Sequence, residues 1–239
     1  MHRFFLSSEL FNSNEITLPG DVSHQISRVL RLKNGSSIVL LDDNGFEYPS
    51  LLQTVGETCV ASIQSKEVAQ GEPQTRLRLI FGLTQREKFE LILQKCTEVG
   101  VNEFLPVVTT RTLIQKSRDV EDKYPRWQKI IREAAEQSRR GRIPALLPSA
   151  SYADALAQND AALKLILWED ETGTGIKEKL QAYNGNTLTL IVGPEGGLSA
   201  EEVDLARQNG FIPVSLGKRI LRMETAAILA CGLALYELG

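Results

Sequence analysis

Two glycine-bearing stretches near the C-terminus carry the residue types and spacing best suited to hold a small molecule. The first is Gly193-Pro194-Glu195-Gly196-Gly197. The second runs from Leu216 and Gly217 through Ile220, Leu221, Arg222 and Met223 to Thr225. Each follows a strand-like apolar run, 187–192 and 211–216. Each is therefore read as a strand-to-helix connection, where open α/β sheets place their ligands. Pro194 fixes its own φ and biases Gly193 away from helix. Gly196 and Gly197 can take positive φ and let a ligand lie on bare backbone. Glu195 puts an acid in a tight turn, where its carboxylate can face that ligand. Ser199, with Glu202 three residues on, forms a capping box that starts the next helix. In the second stretch Ile220 and Leu221 are apolar residues between Arg219 and Arg222, which suits a flat ring such as adenine better than a phosphate. Thr225 is a candidate cap for the last helix. The same residues would also serve two ordinary βα turns packed on their own sheet.

A third cluster, Glu136-Gln137-Ser138-Arg139-Arg140-Gly141-Arg142, ends a helical pattern. Cations suit the negative end of a helix dipole. Arg139, Arg140 and Arg142 would equally suit bidentate contacts to phosphate. Residues 111–142 hold ten Lys/Arg against five Asp/Glu, and residues 160–204 three against nine, in a chain of net charge -3. A basic segment inside an acidic protein fits a polyanion on one face, or a solvated helix face. The phosphate fingerprints G-x-x-x-x-G-K-[ST] and strand-borne G-x-G-x-x-G are missing, which disfavours a nucleotide-dependent oxidoreductase. Two histidines and three scattered cysteines support neither a metal site nor a Ser-His-Asp hydrolase, and read as reduced thiols of a cytosolic protein. The apolar run 226–235 falls far short of the ~20 residues of a membrane span, and the opening residues form too short an apolar run for a signal peptide.

The elements that must position these residues fall into two rhythms. Up to about residue 68 the chain reads as short strands with turns, including 37–42 and 58–63. A helix at 22–30 takes Asp21 as its expected N-cap, and the whole suggests a small barrel. Residues 69–74 read as a linker. Beyond it, strands at 77–82, 104–108, 163–168, 187–192 and 211–216 alternate with helices. One of these spans 86–99, one begins near Pro125 and buries Trp127, Ile130, Ile131 and Ala134, and a short one is capped by Ser151 with Asp154. Pro106 inside the strand 104–108 argues for an edge or a bulge. Apolar strands alternating with helices predict an α/β fold with a mainly parallel sheet covered on both faces.

Taken together, Gly-Pro-Glu-Gly-Gly-Leu-Ser at 193–199 and Leu-Gly-x-x-Ile-Leu-Arg-Met-Glu-Thr-Ala at 216–226 resemble the SPOUT class of RNA methyltransferases. Glu136-Gln137-Ser138-Arg139, the opening His2-Arg3-Phe4-Phe5, Lys88, and Lys95-Cys96-Thr97-Glu98-Val99-Gly100 narrow the resemblance. They point to the bacterial 16S rRNA uridine-N3 methyltransferases, and the likeness covers essentially the whole chain. It implies a PUA-like β-barrel over 1–70 that helps hold RNA, a SPOUT domain over 74–239 with a C-terminal trefoil knot, and a homodimer. Nothing in the strand and helix pattern itself calls for a knot. The resemblance also implies S-adenosylmethionine as methyl donor, with no metal and no membrane. Its contacts would fall on Gly193, Glu195, Gly196, Leu216, Gly217, Ile220, Leu221, Met223 and Thr225. Arg222 is the candidate to stabilise charge on the deprotonated uracil, and Glu98 a candidate base. Arg3, Arg28, Arg31, Lys88, Arg111, Arg139 and Arg140 are the candidate contacts to 16S rRNA, with binding expected to weaken as salt rises. An RNA-binding assembly protein without turnover is the competing class; an intact adenosine pocket argues against it.

Overall fold

Glu72 and Pro73 mark a division of the chain into two compact units in the computed structural model, which describes residues 1–112 and 117–238. One unit comprises residues 1–72 with 135–143, the other 73–134 with 144–239.

In the first unit β1 (His2–Phe5), β2 (Glu15–Thr17), β3 (Ser37–Leu41), β4 (Phe46–Thr54), β5 (Val60–Ile63) and β6 (Glu67–Val68) form one sheet in the order β1-β3-β4-β5-β2. β6 adds to β4. Only the β1–β3 pair is parallel. Its core gathers Phe4, Ile16, Ile26, Ile38, Leu40 and Leu52. The expected helix begins earlier than the sequence suggested. α1 (Gly20–His24) starts after Pro19 and passes into a π-helical turn over Gln25–Val29. Asp21 therefore sits in the first turn rather than at the N-cap. Pro19 accounts for the shift, since its fixed φ suits a helix start.

The second unit opens with β7 (Arg76–Gly82), α2 (Arg86–Val99), β8 (Glu103–Val108) and α3 (Tyr124–Gln137). β9 (Ala145–Leu146), β10 (Ala150–Ser151), α4 (Tyr152–Ala157), β11 (Leu163–Leu167) and α5 (Ile176–Gln181) follow. β12 (Thr187–Val192), α6 (Ala200–Gln208), β13 (Ile212–Val214) and α7 (Met223–Leu238) complete it. The sheet is parallel throughout, ordered β10-β8-β7-β12-β11-β13. Ile80, Ile166 and Ile191 bury one face under α4 and α6, where Tyr152, Val203 and Ala206 pack. α7 lies against β7, β12, α2 and α5.

Pro106 does not lie on an edge strand, because β8 pairs with β7 on one side and with β9 and β10 on the other. The partners on that second side are short: β9 reaches only Glu103 and Phe104, β10 only Val107 and Val108. Pro106 falls in the gap between them, where its missing N–H breaks no ladder bond. Of the two expected capping boxes, the one at Ser199 is complete and the one at Ser151 forms only its serine half. Ser199 accepts from Glu202 N while the Glu202 carboxylate accepts from Ser199 N at 2.9 Å, and Ser151 caps α4 by accepting from Asp154 N at 3.1 Å.

Candidate active site

The carboxyl ends of β11, β12 and β13 point their loops to one side of the sheet, beside Lys88 of α2. There they enclose a cavity of about 820 Å³. The turn after β12 and the loop after β13 face each other across it, and residues 167–169 after β11 close a third wall. Two glycines make this approach possible. A Cβ on Gly82, at the end of β7, would lie 2.8 Å from Pro194 N, so only a bare backbone lets the 193–197 turn settle there. Gly197 takes φ +70, and a Cβ there would meet the Glu169 carboxylate. Gly196, in contrast, does not adopt positive φ.

The turn is held from outside by Arg111, whose Nη1 donates to the Gly196 carbonyl at 3.0 Å. Thr110 N donates to Glu202 Oε1 at 2.7 Å and ties the same loop to the start of α6. Glu195 accepts a short hydrogen bond from Thr84 and one of 3.1 Å from Lys88 Nζ. Burial pushes this carboxyl up, but the Thr84 hydroxyl, its own backbone N–H and the Lys88 ammonium outweigh burial and hold it below the usual range.

Of the residues singled out for a cofactor, Gly193, Glu195, Gly196, Leu216, Gly217, Ile220, Leu221 and Met223 all line the cavity, as does Arg222. Thr225 does not. The Arg222 carbonyl accepts the first helical bond, from Ala226 N at 2.8 Å, so the cap of α7 is Arg222 and Thr225 lies inside the first turn. Glu98 is also absent from the cavity wall. It closes α2, where Lys95 Nζ donates to both of its oxygens at 2.8 and 3.0 Å.

The basic candidates separate by burial. Arg28, Arg31 and Arg139 are exposed on the first unit. Arg3 is largely buried and paired with Glu47. Arg140, 1% exposed, donates to both Glu72 oxygens. A desolvated guanidinium already matched to a carboxylate is not offered to a phosphate. Lys88 stands in the cavity wall, and Arg111 is spent on the turn.

A family model for the RNA methyltransferase domain matches residues 71–235. The chain belongs to the RNA methyltransferase domain family. Among curated relatives, the ribosomal RNA small subunit methyltransferase E of a Synechocystis strain is 34% identical over 96% of this chain and 75% of its own length. The protein of that name from Bacillus subtilis is 29% identical over 99% and 97%. A crystal structure of the Neisseria gonorrhoeae ribosomal RNA small subunit methyltransferase E bound to S-adenosyl methionine superposes with a TM-score of 0.88 at 30% identity, covering 97% of this chain and 95% of that one. A Legionella pneumophila putative methyltransferase in complex with the same cofactor gives 0.88 at 28% identity, over 98% and 96%.

Trp168, Glu169, Glu171, Thr172 and Glu224 are among the cavity residues of this family member that local sequence signals leave unmarked, as is Thr84, which donates to Glu195. Thr84 follows the end of β7, and Trp168 and Glu169 that of β11. Treating every strand end of a parallel sheet as a site position, rather than only the glycine-marked ones, would have found them.

Proposed function

We propose that this chain transfers a methyl group from S-adenosylmethionine to N3 of a uridine in small-subunit ribosomal RNA. The observation that carries the reading is the cavity itself. Two backbone-walled loops meet there, and Arg222 lines it without an ion pair among the described residues. Glu169, Glu171, Glu195 and Glu224 also line it, matched by Lys88, Lys218, Arg219 and Arg222, so carboxylates are at hand for a cationic sulfonium and cations for a developing anion. When bound, S-adenosylmethionine supplies an electrophilic methyl group. The remaining tasks fall to this chain. The loops 193–198 and 214–224 hold the adenosine, with Ile220 and Leu221 against its ring. Arg222 faces the ring oxygens of the uracil, where negative charge gathers once the N3 proton leaves. Fixing N3 in line with the methyl supplies much of the rate.

The wider reading has residues 1–70 as a PUA-like barrel that grips RNA through Arg28 and Arg31, and residues 74–239 as a SPOUT domain that adds Arg139 and whose two cavity loops belong to a trefoil knot. It has the chain working in the cytoplasm as a homodimer. α7 is apolar around its circumference yet leaves Leu229, Leu233 and Tyr236 exposed, which supports pairing with a second copy. Among the described residues no helix is long and apolar enough to cross a membrane.

The test is transfer of labelled methyl from S-adenosylmethionine to small ribosomal subunits that lack the modification, with the product nucleoside identified by mass spectrometry. N3-methyluridine is the expected product. Label in another nucleoside, or none while the cofactor still binds, would overturn the proposal.

A further inference from the structure

Methylation at N3 requires a proton to leave, and Glu98 lies outside the cavity. Four carboxylates do line it, in three different conditions. Glu195 already accepts from Thr84 and Lys88. Glu171 Oε1 accepts from Gly173 N at 2.7 Å and Thr174 N at 2.9 Å. Glu169 is exposed to water. Glu224 differs from all three: its Oε2 is buried and has no hydrogen-bond partner among the described residues. A carboxylate oxygen shut off from water without a donor is costly, and turning it toward the cavity, where a bound molecule carries an N–H, relieves that cost. Glu224 stands two residues from Arg222, and both line the cavity. Its place in the first turn of α7 accounts for an acid there through the helix dipole. The dipole does not account for the unpartnered oxygen.

We infer that Glu224 is the base that takes the N3 proton from the uridine, with Arg222 stabilising the anion left behind. The inference rests on the proposed N3-methylation. In the step, the N3–H bond breaks and its proton passes to the Glu224 carboxylate. The N3 electron pair then forms the bond to the methyl carbon as the carbon–sulfur bond breaks. The electrons of that bond stay on sulfur, and the positive charge of the sulfonium is discharged. Lys88, Lys218 and Arg219 also line the cavity, so the anion forms in a field of several cations.

The test uses the full-length protein with small subunits as substrate. Glu224→Gln should lower kcat by about a hundredfold or more, the usual range for losing a general base. Calorimetry should show its affinity for S-adenosylmethionine within a few-fold of wild type, and thermal unfolding should show an intact fold. Its residual rate should climb in proportion to hydroxide concentration, since solvent then removes the proton. Glu224→Asp, which keeps the carboxylate one methylene shorter, should recover part of the rate at neutral pH. Wild-type turnover in Glu224→Gln would overturn the inference. So would a loss of cofactor affinity that matches the loss of rate, which marks a cofactor contact, or unfolding of both variants, which marks a structural acid. If the wild type makes no N3-methyluridine, it is the proposed function that fails.

Discussion

Arg222 and Glu195 share a cavity but have opposite surroundings, and the difference predicts distinct behaviour. Arg222 has no carboxylate partner among the described residues, so its charge is free to act on a ligand. Arg222→Ala should lower methyl transfer by about a hundredfold, in the range seen when one stabiliser of a developing anion is removed. Calorimetric affinity for the cofactor should stay near wild type, and a parallel loss would assign Arg222 to the cofactor instead. Glu195 is held below the usual carboxylate range, against burial, by Thr84, its own backbone N–H and Lys88. A carboxyl depressed in the folded state adds stability above its unfolded pKa and loses that contribution as pH falls through the folded value. Lys88→Met should therefore lower Tm at neutral pH and flatten the acid limb of the Tm–pH curve. Tm measured from neutral to strongly acidic pH checks both. The motif residues at this scale were legible in the sequence because glycines and their neighbours mark tight turns. Thr84 and Glu169 were not, since nothing local distinguishes a threonine that holds a cavity carboxylate, or a cavity-wall glutamate, from a surface one.

Elements were read most accurately where a local signal sets their boundary. Strand β12 and helix α2 match the expected ranges residue for residue, and Ser199 caps α6 through its box with Glu202. Ser199→Ala should cost about 1 kcal/mol in denaturant unfolding and loosen the loop that carries Gly193 to Gly197. Gly197→Ala must hold a side chain at φ +70, a strain of about 1 kcal/mol. The clash with Glu169 adds little, because the atom it meets is the mobile end of a side chain. Boundaries set by tertiary pairing were misread. Pro106 suggested an edge, but the gap between β9 and β10 accommodates it inside the sheet. Thr225 suggested a cap, but α7 begins two residues earlier.

For the whole molecule, the basic cluster shows how folding redistributes charge. Arg140 is buried against Glu72, which also accepts from Gly141 N at 3.0 Å and Arg142 N at 3.1 Å. Removing one member of a buried pair strands the other, so Arg140→Ala should cost about 3 kcal/mol of stability. Arg28 is exposed, so Arg28→Ala should leave stability near wild type and reduce the salt slope of RNA binding by about one. Denaturant titration and binding isotherms across a salt series separate the two arginines. All three cysteines are free and buried. Contact with Cys231 and burial push the Cys96 thiol up, so the native protein should react slowly with a thiol reagent and titrate three thiols only when unfolded. The sequence by itself determined the alternation of strands and helices, the parallel α/β class and the two glycine turns, because periodicity, capping and glycine placement act over a few residues. Only the tertiary structure decided that both turns share one cavity with Lys88 and Glu224, that Glu98 stands apart from it, and that Arg3 and Arg140 are spent on internal pairs. Those outcomes depend on which strand ends lie side by side and which charges lose water, and neither is written in local spacing.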